Sequence, residues 1–161
     1  MKQSKYKKLA KFGQTLLSKE SLEEGLEYIS QNAKEMTASD RCSIFIYEKK
    51  HDELWSMHAD GSEKIRVPYD MGIVGKTIEL KKPIIDNDPY DSAHFMSDID
   101  MQTGYYTQNI LSAPIFNSKQ KTIGVIELLN KKGGFNKKDM QFLVFLAHYV
   151  SSYLEMMLDG K

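Results

Sequence analysis

Apolar residues recur every three or four positions at both ends of this chain, while its middle carries short β-branched and aromatic blocks parted by polar turns. A 3.6-residue period buries one helix face and a shorter period buries a strand face, so helices flank a set of strands. Leu9, Phe12 and Leu16 mark a first helix over residues 6–17. Ser21 followed by Glu24 forms a capping box that opens a second, with Leu22, Leu26, Ile29, Ala33 and Met36 as its apolar face. Residues 41–47 read as a strand, 53–58 as its hairpin partner across a polar turn, and 64–68 as a third strand. Gly72 opens a short helix that stops before Pro83, and residues 86–104 form an acidic loop. Residues 110–116 and 122–129 are two more strands, after which Asn136 and Asp139 cap a long helix running towards Leu158.

That last helix carries two apolar stripes. Met140, Leu143, Ala147, Val150 and Leu154 form one, and Phe142, Leu146, Tyr149, Tyr153 and Met156 the other. One stripe is enough to cover a sheet. The second packs under the N-terminal helices, forms a dimer seam with the first helix, or divides between the two.

Composition narrows the function. The 161 residues suit one domain, and 22 basic against 22 acidic residues lack the basic excess of a nucleic-acid binder. Only Arg41 and Arg66 are arginines, so a bound anion is held by backbone donors rather than guanidinium forks. One cysteine, Cys42, excludes an internal disulfide and a multi-cysteine metal site, and a reducing cytoplasm is the expected location. The longest apolar run, residues 142–147, falls far short of a membrane span, and the basic start lacks the apolar core of a signal peptide.

Catalytic motifs are missing. Gly75-Lys76-Thr77 has the ending of a phosphate-binding P-loop, but Asp70 stands where that motif needs its first glycine. There is no nucleophile elbow and no H-E-x-x-H, and His51, His58, His94 and His148 show no metal-ligand spacing. Cys42 lies inside a strand with no histidine nearby in sequence, as an inert packed thiol does. The expectation is that the chain is not an enzyme and holds no metal.

The order of elements resembles the GAF domain, and particular segments carry the resemblance. Arg41-Cys-Ser-Ile-Phe-Ile-Tyr47 is similar to that family's first core strand, and Gly72-Ile-Val-Gly75 to its short-helix opening. Gly104-Tyr-Tyr-Thr-Gln-Asn-Ile-Leu-Ser-Ala-Pro-Ile115 and Gly124-Val-Ile-Glu-Leu-Leu-Asn-Lys131 are similar to its last two strands. The resemblance implies an α+β fold in α/β/α layers. It has a central antiparallel sheet of about six strands, terminal helices on one face, and short helices with a ligand loop on the other. It implies a single GAF domain over 1–161, with a core at 20–158 and a helix at 1–19 used in dimerisation.

Within the family the chain looks most like the cyclic-nucleotide-binding GAF domains of phosphodiesterases and bacterial adenylyl cyclases. Their Asn-Lys, Phe, Asp-Glu signature reads here as Asn130, Lys131, Phe135 and Asp139, with Met140 in place of the glutamate. The lysine and aspartate are implied to latch the structure near the pocket, although such a pair can also simply tie a loop to a helix start. For the ligand, the resemblance implies Ser43, Ala59 and Asp60 at the base and backbone donors of Ile73 and Val74 at the cyclic phosphate. It adds Asp100, Thr103 and Thr107 from the loop, Glu127 on the last strand, and Met96 where relatives place an aromatic. Glycines at a helix N-terminus favour anion binding on independent grounds.

The implied function is a regulatory sensor that binds a cyclic purine nucleotide, cAMP or cGMP, with no required cofactor. It would relay binding through terminal helices in a homodimer to a linked or partner effector domain. The alternatives are a ligand-free dimerisation and relay module, or a sensor of another small molecule. The lone cysteine argues against the sulfoxide-reducing and bilin-binding branches, and His94 is a thin basis for haem.

Overall fold

A computed structural model describes residues 2–48, 50–59, 66–68, 72–89 and 107–159. Among these residues the chain forms four helices and six strands: α1 (Lys2–Leu17), α2 (Leu22–Thr37), β1 (Ser39–Glu48), β2 (Glu53–Ala59), β3 (Arg66–Pro68), α3 (Gly72–Leu80), β4 (Ile84–Asp86), β5 (Ile110–Phe116), β6 (Thr122–Lys131) and α4 (Lys137–Asp159). The strands make one antiparallel sheet in the order β3-β2-β1-β6-β5-β4. This is the α+β sheet with helical layers that the sequence led us to expect.

Alternation along the central strands sorts the core into two layers. Cys42 and Ile44 of β1, Ile126 and Leu128 of β6, and Leu111, Ala113 and Ile115 of β5 pack with α1, α2 and α4. On the opposite face Phe45, Leu54 and Val125 pack with Val74 of α3. Gly124 lets β6 approach β1, because a Cβ there would collide with the Phe45 carbonyl. α2 and α4 lie on the sheet, and α1 caps the seam between them. The Phe12 ring stacks on Tyr28 of α2 at 5.4 Å and meets Tyr149 of α4 edge-on at 5.7 Å.

Three details differ from the sequence reading. β4 falls where the sequence reading assigned no element, overlapping the expected loop only at Asp86, because three residues after Lys81-Lys82-Pro83 are too few to display a period. Met36 is exposed, and the buried face of α2 continues from Ala33 to Thr37, whose hydroxyl donates to the Ala33 carbonyl at 2.6 Å. The second stripe of α4 also splits. Leu146 and Tyr153 are buried under the N-terminal helices, whereas Met156 is exposed.

Candidate functional site

A row of side chains crosses five strands on the α3 face. Ala59 of β2 opposes Ser43 of β1, Ser43 opposes Glu127 of β6, Glu127 opposes Ser112 of β5, and Ser112 opposes Ile84 of β4. Directly opposed residues project to the same side of a sheet. The side is identified by Phe45, two positions from Ser43, which packs on Val74 of α3. It is identified again by Thr77 of α3, whose hydroxyl is 2.8 Å from that of Ser112.

Ser43, Ser112 and Thr77 are all buried. Hydroxyls withdrawn from water cost free energy unless bonded. Thr77 meets that need partly by donating to the Ile73 carbonyl one turn back, at 2.8 Å. Glu127, half-buried, sits between the two serines in the row. Thr77, in the second turn of α3, meets this strip. The first turn, opened by Gly72 at φ 74, a conformation glycine adopts readily, packs Val74 on Phe45 and Val125 of the same face. Helix geometry leaves the early N–H groups, those of Ile73 and Val74 among them, without carbonyl partners and gives that end a partial positive charge. This face of the sheet therefore carries hydroxyls and a carboxylate together with an anion-favouring helix end.

A second cluster lies at the far end of β6. Lys131 Nζ is 2.7 Å from each carboxylate oxygen of Asp139. Asn136 and Asp139 cap α4 reciprocally, at 2.9 and 3.0 Å. Asn130, at φ 61, accepts from the backbone N–H groups of Gln108 and Asn109. Asn109 in turn brackets Lys131, its side chain bonding both the N–H and the carbonyl of that residue. Asn87, just after β4, does the same to Phe135 at 3.0 and 3.3 Å. The turn after β6 thus holds the end of β4, the approach to β5 and the start of α4 together.

A family model for the GAF domain matches residues 19–155. The chain belongs to the GAF domain family. Members are generally regulatory domains that sense small molecules. Among solved structures, the GAF domain from a phosphoenolpyruvate-protein phosphotransferase of Coxiella burnetii is similar at 21% identity and TM-score 0.85, covering 96% of this chain and 95% of that one. The corresponding GAF domain from Acinetobacter is 17% identical, with TM-score 0.79 and coverage of 100% and 98%. The free methionine-R-sulfoxide reductase of Neisseria meningitidis, solved with its substrate, is 15% identical, with TM-score 0.81 and coverage of 95% and 89%.

Within this GAF domain, the structure brings Ser43, Ala59 and Glu127 into one row and sets Ile73 and Val74 in the first turn of the helix above that face. It gathers Asn130, Lys131, Phe135 and Asp139 into the second cluster. Thr107 is buried next to Gln108 and Asn109, beside that cluster and outside the row. Asp60, Met96, Asp100 and Thr103 lie outside the described residues. Sequence reasoning missed Ser112, Thr77, Asn87 and Asn109. Thr77 sits within the tract weighed against the P-loop motif, but nothing local pairs it with Ser112. Among the described residues no three His, Cys, Asp or Glu side chains are grouped to hold a metal, and no helix is long and apolar enough to cross a membrane.

Proposed function

We propose that this GAF domain is a regulatory sensor that takes a cyclic purine nucleotide between its sheet and α3. One observation carries the reading: the row Ser43–Glu127–Ser112, its two serines buried, lies beneath α3, whose Thr77 hydroxyl reaches that of Ser112. Hydroxyls and a carboxylate suit the donor and acceptor edge of a purine, and the helix end suits a phosphate that has almost no arginine to meet it. Asn130, Lys131, Phe135 and Asp139 match four positions of the signature found in cyclic-nucleotide-binding relatives, which supports the same ligand class. The reading assigns the chain no catalytic role. Its single cysteine is buried in β1.

Isothermal titration with cAMP and cGMP tests the proposal. Saturable heat with either nucleotide, lost in Glu127→Gln and Ser43→Val, is the expected result. A folded sample giving no heat at millimolar nucleotide sinks it. A ligand-free relay module would then remain, favoured by the exposed apolar residues of the helical layer.

A further inference from the structure

The hydroxyl pair beneath α3 has a fixed direction. Thr77 Oγ1 lies 2.8 Å from the Ile73 carbonyl and 2.8 Å from Ser112 Oγ. A hydroxyl has one proton to give and two lone pairs with which to accept. A carbonyl can only accept, so the Thr77 proton goes to Ile73. The contact between the two hydroxyls then takes its proton from Ser112. With the proton turned elsewhere, two oxygen lone pairs would face each other, and both residues are 0% exposed, with no water to relieve them.

The consequence reaches Glu127, directly opposite Ser112 across the β5–β6 pair. Directly opposed side chains lie about 4.5–5.5 Å apart at Cβ. Ser112 has spent its only proton on Thr77 and has lone pairs alone to offer its neighbours in the row. Glu127, as a carboxylate, adds acceptors alone. It already has an interaction within the protein, but its two oxygens accept about four hydrogen bonds in all. Ser43, opposite Glu127 on β1, carries one proton to give. The row therefore runs from a donor through a carboxylate to a spent hydroxyl, and its acceptors outnumber its donors.

That polarity separates the two purines. Guanine presents O6, N1–H and a 2-amino group in sequence, one acceptor followed by two adjacent donors. Adenine presents a single amino group beside a bare N1, whose lone pair would meet those of the row. We propose that this row selects guanine over adenine, with Ser43 donating to O6 and Glu127 and Ser112 accepting from N1–H and the 2-amino group. Thr77 is the positioning residue, because it holds the Ser112 proton away from the ligand. The inference rests on the ligand reading above and names which of its two nucleotides the site takes.

Isothermal titration of the full chain with cGMP, cAMP and cyclic IMP, which is cGMP without the 2-amino group, tests it. cGMP should bind at least about tenfold tighter than cAMP, the worth of one well-matched paired contact, with cyclic IMP between them. Thr77→Val frees the Ser112 proton. In a variant with unchanged circular dichroism, it should narrow the cGMP-to-cAMP ratio at least about threefold. A merely structural threonine would weaken both nucleotides and leave the ratio alone. cAMP binding as tightly as cGMP overturns the inference and leaves the ligand reading standing. So does cyclic IMP matching cGMP, or an unmoved ratio in folded Thr77→Val. No heat with any of the three overturns both.

Discussion

Lys131 donates to both carboxylate oxygens of Asp139, 2.7 Å to each, tying the last residue of β6 to the first turn of α4. The two side chains are 20% and 8% exposed, so the pair is largely shielded from water. The carboxylate also accepts the Asn136 N–H at the positive end of α4. One aspartate thereby serves as ion-pair partner and helix cap.

Removing the two partners should not cost the same. Asp139→Ala strips the cap and leaves a partly buried ammonium unpaired, an expected loss of about 3 kcal/mol. Lys131→Met leaves Asp139 its helix end, for a loss of about 1–2 kcal/mol. Urea unfolding of both variants checks the order. A costlier lysine variant would show that the cap, and not the pair, is minor.

Asn130 combines a left-handed backbone with an acceptor for two N–H groups. Asn130→Gly keeps the backbone conformation and loses the acceptor, at about 1–3 kcal/mol. Asn130→Asp retains the acceptor and should cost less. Amide exchange at Gln108 and Asn109 reads the contact directly, with protection falling in the glycine variant and persisting in the aspartate variant.

Tyr153 makes alkaline stability depend on one group. Burial, with help from the Glu24 carboxylate, raises its pKa above the ordinary 10.0. The neutral phenol is the form the fold retains, donating to the Ser21 carbonyl. Its contribution is complete below pH 10 and declines as pH rises from there through the higher folded value. Tyr153→Phe should lose about 1 kcal/mol at neutral pH and flatten that alkaline decline. Chemical denaturation across the alkaline range measures both. Gly25→Ala attacks the same junction, because its Cβ would run into the Tyr153 ring, and should cost about 1–3 kcal/mol.

Ala38 ends α2 at φ 57 and ψ 38, a left-handed cap where glycine is the unstrained residue. Its N–H bonds the Lys34 carbonyl, which the substitution preserves. Ala38→Gly should stabilise the domain by about 0.5–1 kcal/mol and raise Tm by about 1–4 °C. A lower melting temperature would show that unfolded-state entropy outweighs the relief.

The features legible in the sequence are those whose cause lies within a few residues. α3 opens at Gly72 as the glycine signal predicts, and Ser21 caps α2 through the Glu24 N–H at 3.1 Å. The reciprocal arm of that box differs, since the Glu24 carboxylate takes the Glu20 N–H instead. Period and capping set these choices locally. β4 exists only because β5 pairs with it, and three residues carry no period of their own. Thr77 finds Ser112 across 35 positions, and Asn87 finds Phe135 across 48. The sequence by itself determined the helices, the central strands and the family. Which buried hydroxyls lie beneath α3, and which asparagines bracket the residues around the turn after β6, depended on the packed chain. Those relationships are distances between segments that no local pattern encodes.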